Sequence, residues 1–192
     1  MGKRDDIMYA TLDIIIERGV RGLTLPLLFE RAQTGPGTFY HYFKDINHLM
    51  DALHEYCCEL GNQIAEEADN PEAPVRERFG AVVSAACRAC CDHLREMRYV
   101  YWCAYGLLGS DISRSYLLPP VDRLSEIIEK AQQEGLVTNG SPAMVSARMI
   151  CGMIASCLWG AEQQYYELTP EAINWFVDRA WHLIEVKYPK PE

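Results

Sequence analysis

The chain has 192 residues, of which 49% are hydrophobic and 23% charged, and its formal net charge is −9. This composition excludes an intrinsically disordered protein, because disordered chains have few hydrophobic and aromatic residues, and the length suffices for one or two domains with a real core. The acidic balance argues against binding of polyanions by the whole surface, so any contact with nucleic acid must come from a local patch.

No segment of the sequence predicts export or insertion into a membrane. The first apolar stretch is interrupted by Asp13 and Glu17, unlike the core of a signal peptide. The longest uncharged run, residues 149–161, has 13 residues, whereas a membrane span needs about 18. We therefore expect a cytoplasmic protein with no membrane partner, in which the eight cysteines are thiols rather than disulfides.

Apolar residues recur at helical spacing along the chain, and capping or helix-ending residues such as Gly19, Thr24, Pro36 and Asp45 separate the segments. Runs that alternate between β-branched and polar residues are absent, so a sheet is not expected. The fold class predicted is all-α, with about nine helices. They cover residues 3–18, 25–32, 36–42, 46–68, 75–96, 99–108, 120–134, 142–167 and 170–187.

The first 48 residues carry the most informative pattern. Three short helices precede a long one, with a tight turn between the second and the third, which is the layout of a helix-turn-helix. Such a unit lays its second helix in the major groove of DNA. Residues 1–48 hold six basic and six acidic residues, so the whole net charge of −9 belongs to the rest of the chain.

The third predicted helix and the residue after it have side chains suited to DNA. Gly37 and Thr38 are small and let the helix approach a duplex, whereas Phe39 and Phe43 are expected to be core anchors. Lys44 precedes the long helix, whose amide groups and dipole favour a phosphate at its N-terminus. Hydroxyl and imidazole groups able to reach phosphates or bases come from Tyr40, His41 and Tyr42.

The stretch from Gly19 to Asp45 resembles the DNA-binding domain of TetR/AcrR-type transcriptional regulators. The similar residues include Leu23-Thr24 and Gly37-Thr38-Phe39-Tyr40-His41-Tyr42-Phe43-Lys44. The resemblance implies phosphate contacts from Thr24, Tyr40 and Lys44, and base or groove contacts from Pro36, Gly37, Thr38 and His41. Two residues depart from the family pattern: Gly35 replaces a capping serine, and Phe29 replaces a small alanine.

The same resemblance implies an organisation and a function. It places a helix-turn-helix DNA-binding domain at residues 1–48, on a helical-bundle body of residues 49–192 for ligand binding and dimerisation. It implies a repressor that binds a palindromic operator in double-stranded DNA as a homodimer. A small apolar or aromatic effector would release the protein from DNA. No cofactor is expected.

The last two predicted helices are apolar around much of their surface. A small bundle cannot cover that much apolar area, which favours burial against a second copy of the chain. Gly152, Ala155, Ser156 and Gly160 would let helices approach closely. The residues expected in the dimer interface are Met153, Trp159, Trp175 and Trp181. The alternative is an ordinary core within one chain.

The middle of the body combines aromatic side chains that have polar groups with adaptable methionines, a mixture that suits an apolar ligand pocket. The residues predicted to bind the effector are Tyr99, Trp102, Cys103, Tyr105, Met149 and Met153. The alternative again is plain core packing.

The cysteines suggest a second kind of sensor. Cys87, Cys90 and Cys91 share one helical face, and Cys57-Cys58 lies on the preceding long helix. Converging thiolates would bind a soft metal ion or form a redox switch. The alternative is that these thiols are small buried side chains.

An enzyme is not expected. Catalysis needs a nucleophile, a base or a metal site at a recognisable spacing, and the five histidines form no such pattern.

Overall fold

A computed structural model describes residues 2–104 and 119–185 of the chain; the remaining residues lie outside the described part. The described residues form nine α-helices and a short 3-10 turn, with no strand, so the predicted all-α class is confirmed. The helices are α1 Lys3–Arg18, α2 Leu25–Arg31, α3 Pro36–Tyr42, α4 Ile46–Ala68, α5 Val75–Asp92, α6 Leu94–Ala104, α7 Val121–Gln133, α8 Ala143–Glu162 and α9 Pro170–Glu185.

Helices α1, α3 and α4 have the bounds that the sequence predicts. Gly19 follows α1 with a φ of 70°, a left-handed conformation that glycine adopts without steric strain. Pro36 lies in the first turn of α3, where its missing amide hydrogen costs nothing. Asp45 caps α4, since its Oδ1 accepts a hydrogen bond from the His48 amide at 2.8 Å. Thr24 occupies the N-cap position of α2, but its hydroxyl makes no capping bond.

Several helix boundaries differ from the prediction, among them the start of α6, which lies at Leu94 instead of residue 99. The helix expected over residues 75–96 is interrupted at His93, which has a non-helical ψ of 46°. Helices α2 and α8 end earlier than predicted, each followed by a left-handed glutamine, Gln33 with φ 47° and Gln164 with φ 59°. Thr34 and Tyr165 each follow one of these glutamines, and the amide of each donates to the carbonyl five residues back. This bond is typical of the Schellman motif.

The described helices divide into two compact units. The N-terminal unit contains residues 2–58 and 95–104, and the C-terminal unit contains residues 59–94 and 119–185. Helix α6 therefore belongs to the N-terminal unit, and the chain passes from one unit to the other at Leu94–Arg95, next to the break at His93. The division into functional domains at residue 48 stays a prediction.

The core of the N-terminal unit is built from large side chains that are almost fully excluded from water. Phe39 and Phe43 are at most 1% exposed, so both expected core anchors lie in the core. Burial of each such side chain stabilises the fold by about 1.5–3 kcal/mol. The other fully buried members of this core include Ile7, Leu12, Ile14, Ile15, Leu28, Leu49, Leu53 and Tyr99.

The core of the C-terminal unit forms where α7 packs on α8 and α5 packs on α9. Phe79 of α5 meets the Trp181 ring edge to face at 5.1 Å. Among the described helices, α8 alone is long and apolar enough to cross a membrane, and 44% of that stretch is buried inside the protein. Within its unit, α8 packs mainly on α7.

Candidate DNA-binding surface and sensor residues

Helix α3 exposes one face and buries the other. The Tyr40 side chain is 56% exposed, whereas the preceding Phe39 is fully buried. Six of the seven residues predicted to contact DNA are exposed, and Thr38 is half-buried. The exposed six are Thr24, Pro36, Gly37, Tyr40, His41 and Lys44. Five of the seven predicted contact residues lie on α3 itself, Lys44 follows this helix, and Thr24 lies at the N-cap of α2.

Aromatic packing holds α3 in place. The helix has only seven residues, and a helix that short is not stable in isolation. The Phe39 ring contacts Phe29 at 5.7 Å and Phe43 at 5.8 Å. Phe29, which replaces the alanine of the family pattern, therefore supports the recognition helix. Gly35 stands at its N-cap and supplies no side-chain bond, as the sequence indicates.

Acidic partners neutralise several of the basic side chains in the N-terminal unit. Arg31 binds both carboxylate oxygens of Glu17, at 2.7 and 3.1 Å. Arg95 of α6 donates to Asp13 of α1 at 2.6 Å. Lys44 is exposed directly after α3. The Arg4 guanidinium lies 5.8 Å from the centre of the Phe43 ring, so both cations lie close to the C-terminal end of α3.

A buried cluster of polar side chains joins α4 and α6 in the N-terminal unit. The His54 ring lies 6.3 Å from the Tyr99 ring, and its Nε2 is 3.5 Å from the Cys58 sulfur. Among the described residues, neither the Tyr99 hydroxyl nor His54 Nδ1 has a nitrogen or oxygen partner. Burial raises the pKa of Tyr99 and lowers the pKa of His54, so both are neutral at pH 7.

The residues predicted to bind an effector are found in both units. Tyr99 and Cys103 are buried in the N-terminal unit, and Trp102 is half-buried with the Arg98 guanidinium 4.3 Å from its ring centre. Met149 is 49% exposed and Met153 half-buried, both in the C-terminal unit. Tyr105 lies outside the described residues. The sequence did not predict His54 as a site residue. The one feature that pointed to it is its place one turn before Cys58 on α4.

Three of the four residues predicted for a dimer interface remain accessible. Trp159 is 55% exposed, Trp175 is 63% exposed and Met153 is half-buried. The structure does not place Trp181 in an interface. Its side chain is 5% exposed, packs against Phe79 and donates to Glu185, so it belongs to the core of its own chain.

The small residue Gly160 is also used within the chain. A Cβ at this position would lie 2.6 Å from the Tyr166 hydroxyl. That hydroxyl donates to the Cys157 carbonyl at 2.8 Å. The glycine therefore accommodates Tyr166 of its own chain, rather than a helix of a second copy.

The cysteines do not form the thiolate cluster that the alternative sensor requires. Among the described residues, no group of three His, Cys, Asp or Glu side chains could hold a metal ion. Cys87 and Cys90 are buried whereas Cys91 is exposed, and Cys57 and Cys58 belong to the other unit. Burial raises the pKa of Cys87 to about 12, which leaves the thiol protonated and weakly reactive.

Alkylation should therefore distinguish Cys91 from the other thiols. Cys91 lines a surface cleft of about 310 Å³ with Arg88 and Ile173, so reagents can reach it. We expect iodoacetamide at pH 7.4 to label Cys91 first and to leave Cys87 and Cys90 unmodified in the native protein, as read by peptide mass spectrometry. Burial and Asp92 raise the pKa of Cys91, so labelling should be slower than for a free thiol. Earlier labelling of Cys87 or Cys90 would contradict this assignment.

Comparison with known proteins agrees with this geometry. Residues 7–53 match the sequence model of the family "Bacterial regulatory proteins, tetR family". Among curated proteins, none matches the chain. The predicted resemblance to TetR/AcrR-type regulators is confirmed for the segment that contains α1 to α3 and the start of α4.

Solved structures extend the likeness to almost the whole chain. A TetR-family regulator from Marinobacter aquaeolei VT8 has a TM-score of 0.81 at 17% identity, covering 96% of both chains. One from Haemophilus influenzae has a TM-score of 0.77 at 17% identity, covering 96% of this chain and 97% of the other. A putative regulator from Shewanella sp. PV-4 has a TM-score of 0.80 at 12% identity, covering 97% of this chain and 100% of the other. The chain has the fold of these regulators.

Proposed function

We propose, on the premise that residues 7–53 form a tetR-family DNA-binding domain, that the chain is a ligand-responsive transcriptional repressor. It binds a palindromic operator as a homodimer and leaves DNA when a small apolar or aromatic effector binds. The observation that carries the proposal is the exposed face of α3, where accessible Tyr40 and His41 lie on a helix anchored by buried Phe39.

The exposed residues divide into two roles. Contacts to phosphates position a protein on DNA, and contacts to base edges select the sequence. Tyr40, Lys44 and Thr24 are assigned to phosphates, because hydroxyl and ammonium groups donate to phosphate oxygens and the Thr24 hydroxyl makes no capping bond to the protein. Pro36, Gly37, Thr38 and His41 are assigned to the groove.

Exposed apolar side chains on α8 and α9 support dimerisation. Val145 and Met149 lie one turn apart on α8 and are 46% and 49% exposed. Trp159 and Trp175 are more than half exposed in the single chain. Tryptophan is enriched at protein–protein interfaces, which favours a partner surface over both side chains. A homodimer would bury these side chains. It would also present two α3 helices to half-sites about 34–36 Å apart, one helical turn of DNA.

The polar cluster of α4 and α6 supports an effector site. Buried polar groups are normally hydrogen-bonded, so the Tyr99 hydroxyl and His54 Nδ1 are candidates for pairing with a ligand. Neutral groups of this kind suit an apolar or aromatic molecule that carries one hydrogen-bonding group. Helix α6 is tied to α1 by the Arg95–Asp13 pair, and α4 is tied to α1 by a 2.6 Å bond between the Tyr56 and Tyr9 hydroxyls.

The effector acts through a difference in affinity. A ligand shifts a conformational equilibrium only by as much as it prefers one state. The effector must therefore bind the DNA-free arrangement of α4 and α6 more tightly, and a coupling of about 1–3 kcal/mol would weaken DNA binding about 5- to 150-fold.

DNA titrations test the proposal through Lys44. Fluorescence anisotropy with fragments flanking the gene should detect binding by the unmodified protein. Lys44→Ala should weaken binding of the dimer to every fragment about a hundredfold, because one charge-assisted phosphate bond worth about tenfold is lost from each of the two DNA-binding domains. It should also make the slope of the logarithm of the binding constant against the logarithm of the salt concentration shallower by about one for each DNA-binding domain. The matched control is Lys130→Ala, which removes an equal exposed charge from α7. An equal loss in the control would contradict the assignment.

A further inference from the structure

The junction between α3 and α4 is held by a reciprocal pair of hydrogen bonds through His48. The His48 amide donates to Asp45 Oδ1 at 2.8 Å, and the Lys44 amide donates to His48 Nδ1 at 3.2 Å. This resembles a capping box, in which the residue at the third helical position is usually Glu or Gln. Here that position carries an imidazole, whose ring nitrogens accept or donate a hydrogen bond according to their protonation.

The same imidazole contacts the core anchor of α3. Its ring meets the Phe43 ring edge to face at 5.9 Å. Phe43 is 1% exposed and also contacts Phe39. His48 therefore touches both the backbone that carries Lys44 and the aromatic cluster that holds the recognition helix.

We propose that His48 is a positioning residue of the DNA-binding domain, which holds Lys44 and the end of α3 in place only while its imidazole is neutral. The proposal rests on the proposed function, because the positioned group is the Lys44 phosphate contact. A neutral imidazole accepts a hydrogen bond at one nitrogen, whereas both nitrogens of the charged form are donors. Protonation would thus place a hydrogen on His48 Nδ1, so that this nitrogen could no longer accept the hydrogen bond from the Lys44 amide.

The charged or titratable neighbours of the His48 imidazole are Lys44 and Asp45 in the junction, Asp51 on α4, His41 on α3 and Arg4 on α1 beside Phe43. His41 is exposed on α3 and is itself assigned to the DNA groove. The experiment must separate the two histidines.

The test is the pH profile of operator binding between pH 8 and pH 5.5 at constant ionic strength. The control variant is His48→Gln, which keeps an acceptor at the capping position and does not titrate. We expect the unmodified protein to lose about 25-fold more affinity over this range than His48→Gln, as one hydrogen bond worth about fivefold is broken in each of the two DNA-binding domains. His41→Gln should retain this difference.

A second variant removes the acceptor at every pH. His48→Ala should bind about 25-fold more weakly than His48→Gln already at pH 8, since each of the two DNA-binding domains loses one bond, and it should lack the further loss at low pH that His48 causes. Superimposable profiles for the unmodified protein and His48→Gln would overturn the proposal, as would tighter binding by the unmodified protein at pH 5.5, which would mean that added charge dominates. Absence of DNA binding by every variant at every pH would overturn the proposed function together with the role of His48.

Discussion

Replacement of Asp69 by alanine should lower the free energy of unfolding by about 3–5 kcal/mol, because it leaves a buried guanidinium without its partner. Asp69 lies between α4 and α5, and its two carboxylate oxygens accept bonds from Nε and Nη2 of Arg78, both at 2.8 Å. The Asp69 side chain is 2% exposed and that of Arg78 is 10% exposed. Water therefore cannot replace the lost carboxylate.

An exposed pair in the same unit provides the matched control. Arg76 and Asp178 are 2.6 Å apart, but the Asp178 side chain is 64% exposed. Asp178→Ala should cost no more than about 1 kcal/mol, because water and salt screen exposed pairs. Urea denaturation at fixed protein concentration, followed by tryptophan fluorescence, measures both variants. Equal losses would contradict the role given to burial.

The Asp69 effect should also depend on pH. The Arg78 guanidinium holds the pKa of Asp69 below its usual range. The stabilisation is therefore complete above the unfolded-state pKa of about 4 and is lost as the pH falls through the lower folded-state value. The difference in stability between the unmodified protein and Asp69→Ala should accordingly be full at pH 7 and shrink in strong acid. A difference that grows as the pH falls would contradict the assignment.

Replacement of Trp175 by glutamate should dissociate the proposed homodimer and remove specific DNA binding. Central tryptophans in interfaces contribute at least about 2 kcal/mol, so the dimer dissociation constant should rise about thirtyfold or more. Two carboxylates brought together near a twofold axis would add repulsion. The helix itself should persist, since Trp175 is 63% exposed and Arg179, now stacked on its ring, can pair with glutamate one turn earlier.

The control for this variant is Leu136→Glu, which places the same charge on a 47% exposed apolar position outside α8 and α9. Light scattering coupled to size exclusion gives the mass, and circular dichroism reports the helix content. We expect Trp175→Glu to be a helical monomer and Leu136→Glu to remain dimeric. A Trp175→Glu variant that stays dimeric would contradict the interface.

The helix boundaries that the sequence predicts well are those set by local chemistry. Gly19, Pro36 and Asp45 act on neighbouring backbone groups, and the structure has helix ends at each of them. Gln33 and Gln164 were not recognised, because the left-handed position that ends a helix is typical of glycine. The interruption at His93 has no glycine or proline signal, and it coincides with the passage of the chain between the two units.

The candidate sites likewise divide into those that local sequence determines and those that depend on contacts between distant residues. The exposed face of α3 follows from a local motif, so the buried Phe39 and the exposed Tyr40 could be expected, whereas the contacts of this face with DNA stay a prediction. The sequence could not show that Trp181 is buried and Trp175 exposed on the same helix α9. Trp181 is buried by Phe79, which lies about 100 residues earlier in the sequence. The pairing of His54 with Tyr99 likewise depends on how α4 packs on α6.

Selection of binding sites from random-sequence double-stranded DNA tests the central claim most directly. The purified full-length chain, at physiological salt and pH 7.5, should enrich a palindromic motif whose half-sites are about one helical turn apart. The enrichment should disappear with Trp175→Glu and persist with Leu136→Glu. Failure to enrich any motif, or enrichment of isolated half-sites by the unmodified protein, would contradict a dimeric DNA-binding regulator.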